Sequence, residues 1–251
     1  MFRGPTSRGN IRYQVHQVEG ETVVEAISQV VKEKLEQYPA PSKIVVYSGS
    51  VNQTIKVGEA LGCPIYHRNV DSRAGKAQRM KELMEGKSRV ISATNALGLG
   101  VDLPDIRVVI HAGPPAKLRD YAQESGRAGR DREKSEAIIV RQHMHAPQGQ
   151  TPRSWTRSEG EDIDEFVAGY HCRRVIIDQV MDGRVDRVEC EEGEEQCDVC
   201  QQDQEVDLAV MQLPRLGSVH ASKGLSMLSR DGGLGSEGGF GDSGISNSMS
   251  S

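Results

Sequence analysis

Three groups of residues have the types and spacing to do chemistry. In Gln123-Glu124-Ser125-Gly126-Arg127-Ala128-Gly129-Arg130-Asp131, the residues Gln123, Arg127 and Arg130 are spaced by 4 and 3. A helix there would bring them to one face. Gly126, Ala128 and Gly129 leave the arginine stems uncrowded. Two such guanidiniums invite a polyanion and can stabilise charge on a phosphoryl group in transfer. A solvated basic helix end is the other use of such a pair, so the neighbouring elements must decide. Thr94-Asn95-Ala96-Leu97-Gly98-Leu99-Gly100-Val101-Asp102 follows an apolar run. A glycine-rich turn at a strand end exposes backbone N–H groups and can hold phosphate. Finally, Cys172, Cys190, Cys197 and Cys200 have 17, 6 and 2 residues between them. Cys197-Asp198-Val199-Cys200 is a C-x-x-C pair of the kind zinc sites use. Four free thiols in a polar tail is the competing reading.

The elements that must position these groups alternate. Glu21 to Tyr38 is amphipathic: Val23, Ile27, Val30, Val31 and Leu35 make one apolar stripe, and Pro39 and Pro41 end it. Lys43–Tyr47, Pro64–His67, Arg89–Thr94, Val108–His111 and Ser135–Val140 are strand candidates. Asn52–Leu61, Ser72–Met84 and Lys117–Ser125 are helix candidates between them. Gly62 is placed as a C-cap, Ser72 as an N-cap and Gly86 as a stop. Strands alternating with helices predict an α/β fold with a mostly parallel sheet, whose working loops lie at the strands' carboxyl ends. Gln142 to Arg157 is a linker candidate, and Glu161–Met181 has a helical pattern. From Leu216 to Ser251 there are nine Gly and ten Ser in 36 residues. That stretch cannot bury enough apolar surface to offset its ordering entropy, so a disordered tail is expected.

Composition excludes several classes. Hydrophobic residues are 36% of the 251, and no apolar run approaches the ~18 residues of a membrane span. Met1 to Val24 lacks a signal-peptide core, so an intracellular, soluble protein is expected. Five cysteines then point to metal or free thiols rather than disulfides. The net charge of −5 hides a split. Residues 1–150 carry 22 Lys and Arg against 16 Asp and Glu, while residues 151–251 carry 9 against 20. Only the first part suits phosphates over most of its surface.

With strand, glycine loop, strand and paired arginines in this order, the chain resembles the second RecA-like domain of superfamily-two helicases of the RecQ family. Ile91 through Thr94 and Asp102 through His111 resemble motif V and its following strand. Tyr121 through Asp131 resembles motif VI, Val46–Ser50 stands at motif IV, and Tyr66-His67 matches a family pair. Asn10–Tyr13 resembles the segment joining the two motor domains, and Cys172 the first ligand of the RecQ zinc subdomain. The insertion Glu191–Gln196 lengthens the usual cysteine spacing, as in RecQ-like helicases encoded near fungal chromosome ends. The acidic run Glu189–Glu195 is expected to be a solvated loop.

The resemblance implies a RecA-like, mostly parallel sheet flanked by helices, then a small helical zinc-binding subdomain. Its divisions are a connector at 1–20, the helicase domain at 21–145, the zinc subdomain at 146–204 and the tail at 205–251. It implies Arg130 as arginine finger towards ATP with Mg2+, supported by Arg127 and Gln123. Asp102 and Gly100 would lie at the nucleotide. Thr94 and Ser48 would meet single-stranded or forked DNA. Cys172, Cys190, Cys197 and Cys200 would bind Zn2+. The implied activity is 3′–5′ DNA unwinding in nuclear repair and recombination. No G-x-x-x-x-G-K-[ST] and no D-E-x-H occur in the sequence. A first RecA-like domain, in cis or in trans, is therefore the expected partner, and the chain alone is expected to be inactive. The alternative is a non-catalytic DNA- or partner-binding module left from a truncated helicase.

Overall fold

The computed structural model describes residues 4–70, 72–98, 103–143 and 161–212. Gly100, Asp102, Trp155 and the Gly/Ser-rich tail lie outside the described residues. The order of elements is β1 (Ile11–Val18), α1 (Val23–Gln37), β2 (Lys43–Ser48), α2 (Val51–Leu61), β3 (Ile65–Tyr66), α3 (Arg73–Met84), β4 (Val90–Ala93) and a 3-10 turn (Asn95–Gly98). Then come β5 (Ile106–Ala112), α4 (Leu118–Ser125), β6 (Ser135–Gln142), α5 (Glu161–Ala168), α6 (Arg173–Asp182) and α7 (Asp198–Gln212).

Local chemistry sets the ends of the helices. Thr22 and Glu25 form a capping box on α1. Ser50 caps α2 through the Gln53 N–H, and Gly62 closes it at φ 58°. Ser72 caps α3 through the Gly75 N–H. The six strands form one parallel sheet in the order β1-β6-β5-β2-β4-β3. Central β2, Lys-Ile-Val-Val-Tyr-Ser, is buried at all six positions. A strand covered on both faces reads as a continuous run rather than an alternation. This is a RecA-like α/β sheet, as the sequence predicts.

Two cores flank it. One holds Ile27, Val30 and Val31 of α1 and Val57 of α2 against Ile44, Val46, Val108, Ile110, Ile138 and Val140. The other packs Leu83, Leu118, Tyr121, Phe166, Ile176 and Ile177 against Tyr13, Val45, Tyr47, Val109 and Ile139. Cys172, Cys197 and Cys200 belong to that second core. The cysteine region is thus welded to the sheet through a shared apolar interior. No described helix is long and apolar enough to cross a membrane.

The structure revises four expectations. Residues 11–18, read as part of a connector, form an edge strand paired in parallel with β6. The helical segment after residue 160 is two helices, parted at Gly169, whose φ of 72° no α-helix accepts. α7 runs to Gln212, past the boundary at 204. The acidic run Glu189–Glu195 is no free solvated loop: Arg187 pairs with Glu194 at 2.7 Å, and Arg184 with Glu191.

Candidate functional site

The arginines of the motif VI segment do not share a helix face. α4 stops at Ser125, and Gly126 to Arg130 turns away towards β6. Gly129 adopts φ 56°. A Cβ there would stand 2.4 Å from Asn10 Nδ2, 2.5 Å from Ser135 Oγ and 2.7 Å from the Glu133 carbonyl. Only glycine fits that turn. The loop is then pinned from outside itself. The Arg8 guanidinium donates to the carbonyls of Gly126 and Ala128, each at 3.0 Å, and to that of Gly129. Asn10 Nδ2 donates to the Gly129 carbonyl at 2.9 Å. The Gly129 N–H donates to the Ile106 carbonyl at 2.8 Å. Arg107 forks onto the Asp131 carboxylate. Burial, then the positive charges of Arg130 and Arg132 among its neighbours, lowers the pKa of Arg8. The loop enters the amino end of β6, so the rule placing working loops at carboxyl ends does not cover it.

A buried polar layer lies beside the loop. His111 Nε2 lies 2.9 Å from Glu124 Oε2, with both residues buried. His111 stacks on Tyr47 at 5.7 Å between ring centroids, and Tyr121 and Phe166 continue the row. Burial raises the Tyr47 pKa, the neighbouring Arg127 charge opposes that rise, and the phenol stays protonated. His111 stands in no ligand spacing, and sequence reasoning passed over it. Only the β5–α4 crossover brings it to Glu124.

The four cysteines do come together. Cys172 Sγ lies 3.6 Å from Cys190 Sγ and 3.8 Å from Cys197 Sγ. All four sulfurs fall within 4.8 Å of one another. Tetrahedral zinc with Zn–S bonds of about 2.3 Å requires sulfurs about 3.8 Å apart. The spacing and the soft, all-thiol donor set fit that ion. Hydrogen bonding within the cluster pulls Cys197 well below the ordinary thiol range and pushes Cys172 far above it. The Cys197 N–H also points at Cys190 Sγ, 3.4 Å away. Cys172 caps the start of α6, and Cys197 and Cys200 flank the start of α7, so the cluster ties two helix starts to the loop carrying Cys190. Asp198, between the paired cysteines, accepts both 2.8 Å bonds of the Arg173 fork and the Val15 N–H at 2.9 Å. Cys63 stands apart as a half-buried thiol raised to about 11 by burial.

A cleft of about 620 Å³ opens where β2, β3 and β4 end. Ser50, Tyr66, Arg68, Lys76, Thr94 and Asn95 line it, with the Gly49 backbone. Thr94 is one of the lining residues. The Ser48 hydroxyl is buried, at the last residue of β2. Ser50 is the exposed serine. Gly100 and Asp102 lie outside the described residues.

Comparison with known proteins agrees with this geometry. The family model of the helicase conserved C-terminal domain matches residues 24–132. A protein of Acanthamoeba polyphaga mimivirus bearing an ATP-dependent RNA helicase name is 31% identical over 66% of this chain and 31% of its own. The ATP-dependent DNA helicase Q4 of Homo sapiens is 37% identical over 41% of this chain and 8% of its own. The ATP-dependent DNA helicase RecQ of Haemophilus influenzae is 26% identical over 70% of this chain and 29% of its own. The chain spans about a third or less of the length of these curated relatives. Residues 24–132 thus form a helicase conserved C-terminal domain, in a chain whose homologues include RecQ-family DNA helicases.

Proposed function

We propose that this chain is the second motor domain of an ATP-dependent, 3′–5′ DNA helicase of RecQ type. Arg130 reaches the γ-phosphate of ATP bound with Mg2+ on a first RecA-like domain, in cis or in trans. Arg127 and Gln123 support it, and Gly100 and Asp102 stand at the same nucleotide. The observation that carries this reading is the loop's backbone, held at three carbonyls by Arg8 before any ligand arrives. A backbone held in advance lets the loop's arginines meet the transferring phosphoryl group with less reorganisation at the moment of reaction.

The cleft takes the single strand. Hydroxyls, ammonium groups and backbone N–H groups are the usual phosphate partners. Thr94, Ser50, Lys76 and Arg68 supply them here, and Ser48 stands next to Gly49 of the lining. The strand is single-stranded or forked DNA, and the work belongs to the nucleus. Cys172, Cys190, Cys197 and Cys200 hold one Zn2+, whose part is structural: it ties helix starts together and takes no step in hydrolysis.

The test joins this chain to a RecA-like domain carrying a phosphate-binding loop and measures DNA-stimulated ATP hydrolysis. Arg130→Ala is expected to lower kcat roughly a thousandfold or more, the range of arginine-finger losses. The melting temperature is expected not to move. Activity within tenfold of the parent overturns the finger assignment. Stimulation by RNA and not by DNA overturns the DNA assignment.

A further inference from the structure

We infer that Arg8 is a positioning residue for the Gly126–Arg130 loop, and that Arg174 couples this loop to the cysteine cluster, so that metal binding sets the loop's order. The loop's task rests on the function proposed above; the coupling is a property of the fold.

Consider first what Arg8 does. Gly126, Ala128 and Gly129 follow the carboxyl end of α4, where helix carbonyls lack partners and the helix dipole is negative. Three carbonyls of one turn cannot satisfy each other. A planar guanidinium can span them, and a lysine cannot. Arg8 meets all three.

Arg8 is itself held. Its N–H donates to the Tyr13 hydroxyl at 3.2 Å, and its carbonyl accepts from Arg174 at 2.9 Å. Arg174 is wholly buried and lies over the Tyr13 ring at 5.0 Å. It also donates to the carbonyls of Gly9 at 3.3 Å, Ile11 at 2.8 Å and Glu195 at 3.0 Å. A carboxylate also faces it, that of Glu194 at 3.3 Å.

Arg174 stands two residues beyond Cys172, on the helix that Cys172 caps. Glu194 and Glu195 belong to the insertion between Cys190 and Cys197. The Glu195 N–H donates to the Gly9 carbonyl at 2.7 Å. The helix and the loop that a metal would fasten are therefore the two clamps on residues 8–11. Loosening the cluster releases Arg8, and with it the carbonyls of Gly126 and Ala128, while that of Gly129 keeps Asn10.

The test is hydrogen exchange with peptide resolution on the full chain, with metal content measured alongside. The amides of Gly126, Arg127, Ala128, Gly129 and Arg132 are all hydrogen-bonded, so their exchange reports the loop. Arg8→Lys, which keeps the charge and loses the fork, is expected to speed exchange in 126–132 about tenfold and to leave α1 and β2 unchanged. Stripping the metal from the parent is expected to speed the same peptide. Stripping it from the Arg8→Lys chain is expected to add less than about twofold, since the link is already cut. In the joined motor, Arg8→Lys lowers kcat and leaves KM unchanged. Overturning results are a loop indifferent to stripping, effects that simply add, or a chain that takes up no metal. Exchange is read without nucleotide, so a failed finger assignment and a failed coupling give different records. Should an Arg174 variant not fold, Arg8→Lys still decides.

Discussion

The two faces of the sheet differ in kind. The face under α1 and α2 is mainly aliphatic: valine, isoleucine and alanine form its buried core, and its buried hydroxyls settle locally. Ser92 donates to the Thr54 carbonyl at 2.8 Å, and Thr54 to the Ser50 carbonyl at 2.8 Å. The other face carries Tyr13, Tyr47, Tyr121 and Phe166 in a row, three cysteines, and the buried charges of Arg173, Arg174 and Glu124. Burying charge costs more than burying a methyl group and is tolerated only with full sets of partners. Here the partners come from residues 8–11, 124–129, 166 and 194–198, so the charges fix where distant segments meet. One face contributes the stability of a packed layer. The other gives part of that stability up for a defined arrangement of charged groups, and it is the face that carries Arg127 and Arg130.

Exchanging an ion for hydrocarbon is the strongest way to break this comparison. Arg174→Met keeps most of the volume, yet removes the buried donor shared by the carbonyls of Arg8, Gly9, Ile11 and Glu195 and leaves the Glu194 carboxylate to Arg187 alone. Removing one partner of a buried charged network costs about 3–5 kcal/mol. Ile27→Val, at a fully buried site on the aliphatic face, removes one methylene and costs about 0.5–1.5 kcal/mol. Urea unfolding of both variants checks the contrast. A cost for Arg174→Met no greater than for Ile27→Val would mean that the two faces do not differ in kind.

A charged group on the aliphatic face sharpens the comparison. Glu136 sits among Lys34 at 2.8 Å, Tyr38 at 2.9 Å and Gln14 at 2.5 Å. Burial raises its pKa, but the hydrogen bond and charge of Lys34, with Tyr38 and Gln14, outweigh that and hold it below the ordinary glutamate value of 4.5. The unfolded chain therefore takes up this proton first as pH falls. The stabilisation is full above about pH 4.5 and is lost as pH drops through the depressed folded value. Lys34→Met should cost about 1.5–3 kcal/mol at pH 7, the worth of a charged hydrogen bond, and less at pH 3. Denaturant midpoints at the two pH values measure it. An equal cost at both means that Lys34 acts there through packing alone.

How legible each face was in the sequence follows from how it is held. Gly62 and Ser72 act within a turn of their own position, and their caps could be read directly. The apolar stripe of α1 told its buried face. The cysteine spacing predicted a cluster that the fold does assemble. What escaped is long-range. Arg8 lies 118 to 121 residues from the carbonyls it holds, and Arg174 about 165 from residues 8–11. No periodicity connects such pairs. β1 is a different failure: Ile11, Tyr13 and Val15 alternate as a strand should, but the resemblance of Asn10–Tyr13 to a segment joining two motor domains assigns it to a connector. The arginine spacing of 4 and 3 suggested a shared helix face, and Gly126 ended the helix before that face could form.

The smallest effect tests the most local device. Thr22 Oγ1 accepts from the Glu25 N–H at 3.2 Å, and the Glu25 carboxylate accepts from the Thr22 N–H at 2.8 Å. Together they satisfy two of the donors left open at the start of α1. These hydrogen bonds also lower the Glu25 pKa, as donors to an ionised carboxylate do. Thr22→Ala removes the acceptor and should cost about 1 kcal/mol. The loss should appear as a lower melting temperature with no change in hydrogen exchange across 126–132, because α1 packs on the aliphatic face alone. If exchange in the arginine loop rose as well, the two faces would be coupled through the sheet, and the division between a packed layer and an arranged one would fail at its weakest perturbation.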